Sequence, residues 1–171
     1  MARAELLMPF ILRWEGGFVN DPVDRGGATN KGVTMKTYTA YCRKKGYSDP
    51  TVEDLQKIPD KHWLDIFRSE YWNPCRADGI LNQSVANAIV DWAWCSGTGR
   101  VIRKVQQILS VKADGIAGPV TIDAVNREQA ELLFLRIQDA RLCFVENIVR
   151  KDPKQKKFLK GWKNRINSLK F

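Results

Sequence analysis

Glu15 stands where a carboxylic acid could donate a proton. It follows Trp14 and precedes Gly16-Gly17-Phe18. Leu6, Leu7, Phe10, Ile11 and Trp14 recur at helical spacing, which predicts an amphipathic helix over the first fifteen residues, stopped by the glycine pair. Glu15 then sits at the helix C-terminus, where the partial negative charge of the backbone and the apolar Trp14 both favour a protonated carboxyl. A general acid for glycosidic cleavage needs that proton near neutral pH. Gly16 and Gly17 would let a bulky polysaccharide approach the backbone. Nine residues on, Asp24 lies in the turn-rich stretch Asp21-Pro22-Val23-Asp24-Arg25-Gly26-Gly27-Ala28-Thr29-Asn30. Glycoside hydrolysis commonly uses two carboxyl groups, and Thr29 or Thr34 could position water if the reaction inverts. The bland alternative is a solvated helix end followed by ordinary turns.

Other chemistries find less support. His62 is the only histidine, so a zinc site built on paired histidines is excluded, and no phosphate-binding or dinucleotide-binding glycine motif is present. Cys42, Cys75, Cys95 and Cys143 form no CxxC pair and read as buried free thiols. Among the six tryptophans, Trp72 is the first choice for stacking on a sugar. Trp92 and Trp94 lie in a strongly apolar helix and cannot both face the same way.

These residues must be held by helices. Thr34 caps a predicted helix running to about Lys45, Thr51-Val52-Glu53-Asp54 resembles a capping box, and a helix from Pro59-Asp60 ends near Trp72. An apolar helix from about Gln83 to Cys95 closes at Ser96-Gly97-Thr98-Gly99. Beyond it come a helix marked by Val101, Val105, Ile108 and Leu109, a turn at Asp114–Pro119 with Pro119 opening the next helix, a long helix over 128–150, and a last one carrying Phe158, Trp162, Ile166 and Leu169. The fold class is mainly α, with a loop or short hairpin after the first helix. The expected organisation is a catalytic region over 1–96 and a helical binding region over 97–171, packed as one body.

The net charge of +9 is local: residues 150–170 hold nine basic side chains and one acid, +8 of the total. This suits an anionic polymer or surface, or simply a solvated basic face on a helix packed through its apolar side.

The chain resembles the glycoside hydrolase 108 family of N-acetylmuramidases. Glu15-Gly16-Gly17-Phe18-Val19-Asn20-Asp21-Pro22, Gly26-Gly27-Ala28-Thr29-Asn30, Gly32-Val33-Thr34, Tyr71-Trp72, and Ala86 through Asp91-Trp92-Ala93 with Ser96-Gly97 carry the likeness. Phe18 stands where the family usually has Tyr, Arg25 where Pro is common, and Trp94-Cys95 where Val-Asn is frequent. Val105–Leu109, Asp114–Thr121 and Phe158–Ile166 resemble the predicted peptidoglycan-binding module found with that family. The resemblance implies a lysozyme-like helical fold with a C-terminal helical subdomain and hydrolysis of the β-1,4 bond between N-acetylmuramic acid and N-acetylglucosamine, without a cofactor or metal. The order Glu15, Asp24, Thr29 is also similar to phage-type lysozymes, which implies Glu15 as acid, Asp24 as electrostatic or base partner and Thr29 as water positioner. Expected substrate contacts are Gly16, Gly17, Asn20, Asn30, Thr34, Trp72 and Asp91.

The N-terminus lacks the apolar run of a signal peptide. The expectation is a monomer made in the cytoplasm that reaches the wall by holin-type release, as an endolysin does, or by export outside the general secretory route. Peptidoglycan is the expected partner, with anionic envelope contact through the basic helix and no nucleic acid. Two rival readings are a wall-binding protein without activity and a basic nucleic-acid-binding module; the second leaves the chemistry of residues 15–34 idle.

Overall fold

A computed structural model of the chain describes residues 1–20 and 27–171. The described residues form nine α-helices and one two-stranded antiparallel sheet. By their contacts they fall into two compact units, Glu5–Glu70 and Met1–Ala4 with Tyr71–Phe171.

The smaller unit carries most of α1 (Ala4–Trp14), whose Leu7 and Ile11 are fully buried. Glu15 continues the helical bonding, its amide donating to the carbonyl of Ile11 at 3.1 Å. The hairpin then pairs β1 (Thr29–Asn30) with β2 (Val33–Thr34). Its two turn residues, Lys31 and Gly32, both have positive φ, 49° and 76°. That is the requirement of a type I′ turn, whose twist matches its strands and which glycine accommodates without strain. Thr34 ends β2 and caps α2 (Met35–Lys45) by accepting the Thr37 amide at 3.2 Å. Thr51 and Asp54 form the expected capping box on α3 (Val52–Gln56). In α4 (Asp60–Phe67), Trp63 and Phe67 are fully buried and stacked, with ring centroids 5.2 Å apart. A π-helical turn, Arg68–Trp72, follows α4, so the helix expected to end near Trp72 changes its bonding pattern at Arg68.

The larger unit is built from α5 (Gln83–Ser96), α6 (Thr98–Ile108), α7 (Pro119–Arg127), α8 (Ala130–Lys151) and α9 (Lys156–Ser168). The expected boundary at 96/97 is a turn inside this unit: Gly97 ends α5 and caps α6, and α5 packs on both α6 and α8. Buried Gln106 organises the loop before α7. Its amide nitrogen donates to Asp114, the Ile116 carbonyl and Thr121, and its oxygen accepts from the Gly115 amide at 2.8 Å. Gly115 has φ +81°, and a Cβ there would meet the Gly99 carbonyl oxygen at 2.7 Å, so both dihedral and space demand glycine.

One ion cluster joins three of these helices. Asp91 on α5 is fully buried; its Oδ2 accepts from Arg141 of α8 at 2.6 Å and its Oδ1 from Arg165 of α9 at 2.8 Å. On α9, Ile166 is buried and Trp162 partly so, and Leu169 just past its end is buried, but Phe158 remains 46% exposed. The apolar stripe read across that helix is therefore buried only toward its C-terminal end.

The cysteines divide. Cys42 and Cys75 are buried, as expected, whereas Cys95 on α5 and Cys143 on α8 are exposed. Burial pushes the Cys42 thiol up and the Cys75 thiol up to about 12. Alkylation at pH 8 under native conditions should therefore modify Cys95 and Cys143 while sparing Cys42 and Cys75 until the chain is unfolded, as peptide mass mapping will show. Replacing Asp91 by Ala leaves two guanidiniums without their shared anion and should cost about 3–5 kcal/mol in urea unfolding.

Candidate active site

The candidate site lies in the smaller unit, where α1 ends and the chain turns to the hairpin. Glu15 is partly buried at that end, and Gly16 and Gly17 are exposed. A Cβ on either glycine would meet nothing within 4 Å among the described residues, so the backbone beside the carboxyl is open to a bulky ligand. The indole nitrogen of Trp14, the preceding residue, is buried and finds no acceptor among the described residues. That buried donor was missed in the sequence, where Trp14 counted only as an apolar neighbour.

A backbone bridge brings the hairpin alongside. Val19 and Thr29 exchange two hydrogen bonds, each amide donating to the other's carbonyl at 2.8 Å. The segment beginning at Glu15 thus returns beside Thr29 and, through the β1–β2 pairing, beside Thr34. Thr29 is partly buried, and among the described residues its hydroxyl makes one long contact, 3.5 Å to the Gly27 carbonyl. The Thr34 hydroxyl is held as the cap of α2 and lies 3.0 Å from that of Thr37. Asn20 is exposed one residue past the bridge. Asp24, the expected second carboxylate, lies outside the described residues.

Three predicted contacts have structural duties instead. Asn30 is buried, and its amide donates to the carbonyls of Leu55 and Gln56, both at 2.9 Å. The Leu55 carbonyl also accepts the Ile58 amide at 3.2 Å, so Asn30 adds to the bonding at the end of α3. Trp72 is fully buried in the larger unit with its indole N–H on Asp78 at 2.7 Å, so no face of the ring is presented to a sugar. Asp91 is also in the larger unit, and both its oxygens are occupied by arginines. The predicted residues found at the end of α1 and on the hairpin are Glu15, Gly16, Gly17, Asn20 and Thr29, with Thr34 capping α2.

The hairpin is clamped from below. Besides Asn30, the Trp63 indole donates to the Lys31 carbonyl at 2.9 Å, and Lys31 pairs with Asp60 at 3.0 Å. A second groove in this unit, about 400 Å³ and lined by Lys36, Tyr41 and Glu70 among others, contains none of the predicted site residues. Asn30→Ala removes two buried hydrogen bonds at the end of α3 and should lower stability by about 1–3 kcal/mol, measured by thermal unfolding.

Residues 8–97 match the family model described as glycosyl hydrolase 108, and residues 100–167 match one described as a predicted peptidoglycan domain. Among solved structures, SagA from Brucella abortus is similar over 97% of this chain and 90% of its own, at 30% identity and a TM-score of 0.75. No curated protein sequence matches. The fold is of the mainly helical, lysozyme-like class expected from the sequence. The two family models meet near Gly97–Arg100, whereas the compact units divide after Glu70. With a glycosidase model over its first half and a peptidoglycan module over its second, this chain belongs to the glycosyl hydrolase 108 family and is a peptidoglycan hydrolase.

Proposed function

We propose that the chain is an N-acetylmuramidase that hydrolyses the β-1,4 bond between N-acetylmuramic acid and N-acetylglucosamine, with Glu15 as general acid. The observation that carries this reading is a partly buried glutamate at the end of α1, followed by open glycine backbone on a segment that bridges to the hairpin at Thr29. In this mechanism Glu15 protonates the glycosidic oxygen as the C1–O bond breaks, and the positive charge that develops on the sugar ring is met by a second carboxylate. Asp24 is the proposed partner. Thr29 orients the water that attacks C1, and the water's second proton passes to the base. Gly16 and Gly17 admit the glycan strand, and Asn20 stands at its edge. The enzyme acts as a monomer on the cell wall, and its basic α9 favours that anionic polymer.

Glu15→Gln keeps the shape of the side chain and removes the transferable proton. Clearing of purified peptidoglycan, followed by turbidity, should fall roughly 10²–10⁴-fold, with an unchanged circular dichroism spectrum. Clearing at the wild-type rate would overturn the assignment.

A further inference from the structure

Helices α5, α8 and α9 of the larger unit enclose a pocket of about 130 Å³ that the hydrolytic reading leaves unused. Its walls include Trp92, Phe144, Ile148 and Trp162, and its lining also holds the guanidiniums of Arg141 and Arg165 with no carboxylate among them. Cavities of about 150 Å³ admit benzene, so this one takes a group of about six heavy atoms.

Two donors at this pocket are poorly matched. Arg141 is only 3% exposed; its Nη1 is on Asp91, but its Nη2 has a thiol, Cys95 Sγ at 3.5 Å, as its partner. A thiol sulfur is a weak acceptor for a buried cation. The indole N–H of Trp92 is buried without an acceptor among the described residues. Buried donors left in this state carry a desolvation cost that an oxygen acceptor relieves. A carboxylate is the acceptor that fits a guanidinium best, because the interaction is charge-assisted and can be bidentate. The aromatic and aliphatic walls call for a small apolar substituent next to it. Arg100, whose guanidinium lies 5.8 Å from the Phe144 ring, adds positive charge near the same wall.

We propose that this pocket binds a carboxylate borne on a methyl-substituted carbon. That chemistry is shared by the D-alanine terminus of a peptidoglycan stem peptide and the lactyl arm of free N-acetylmuramic acid. The proposal rests on the peptidoglycan module matched over residues 100–167 and is independent of Glu15. Asp91 is then a positioning residue: it touches no ligand and holds both guanidiniums at the pocket.

The test is calorimetric titration of the full chain with D-alanyl-D-alanine, its C-terminal amide and N-acetylmuramic acid. Saturable binding of at least one carboxylate is expected, with the amide at least about tenfold weaker than the dipeptide acid. The tighter of the two acids identifies the source. Cys95 is exposed, so Cys95→Glu should fold and place a competing carboxylate beside Arg141, weakening binding at least about tenfold. Cys143→Glu, on an exposed position outside the pocket lining, should bind as wild type. Absence of binding by both acids, equal binding of acid and amide, or an unaffected Cys95→Glu each overturns the proposal. Glu15→Gln should bind as wild type. A chain that binds these acids yet never cleaves would sink the muramidase reading alone, and one that cleaves without binding them would sink the pocket alone.

Discussion

Placing the carboxylate of Asp91 in a fully buried position of an apolar helix creates a demand that two other helices must meet. An isolated buried charge costs several kcal/mol after relaxation, so Asp91 is tenable only because Arg141 and Arg165 reach it from α8 and α9. The apolar packing of α5 on α8 is non-directional and would tolerate small rotations of the helices. The ion cluster is directional and does not. It fixes which side of the 22-residue helix α8 faces inward and sets the register of α9, whose own buried apolar surface is confined to its C-terminal half. The aromatic walls around Trp92 and Trp162 follow from that alignment.

The smaller unit solves a different problem with backbone chemistry. A partly buried acid at the end of α1 is useful only if the chain that leaves it is held nearby, and the two glycines after Glu15 impose no order themselves. Order comes from the Val19–Thr29 bridge and from a hairpin anchored by Asn30, Trp63 and Lys31 to the helices beneath it. A two-stranded hairpin alone is marginal in water. Here its tight type I′ turn and those side-chain anchors supply what a larger sheet would. The arrangement keeps the glycine backbone open while its surroundings are fixed, which is the balance a polysaccharide cleft requires.

Much of this was legible in the residues. Local signals performed well because their physics is local: Thr34 and Thr51 cap the helices they precede, Pro119 opens α7, and Gly97 ends α5. Glu15 at the end of α1 followed from periodicity and a glycine stop. The failures are tertiary. Asn30 looked like a sugar contact because a polar residue in a glycine-rich loop could serve either purpose, and only the fold brings the end of α3 within its reach. Trp72 lost its expected exposure to Asp78, six residues on, across an irregular turn that no period predicts. Asp91 was read as a substrate contact, but its carboxylate is taken up by arginines 50 and 74 residues away, which no local signal reveals. Arg141 carried a readable sign, since it continues the buried stripe of Phe134, Ile137 and Gln138 on α8, where a charge needs a partner.

The two units divide the work along that line: one holds an acid beside an open backbone, the other carries the module that recognises the wall. Cleavage by Glu15 at the proposed bond would leave N-acetylmuramic acid at the reducing end of every fragment. Mass spectrometry of the soluble fragments after borohydride reduction tests it most directly. Fragments ending in reduced N-acetylmuramic acid are the predicted result, and fragments ending in reduced N-acetylglucosamine, or free peptides released from intact glycan, would contradict it.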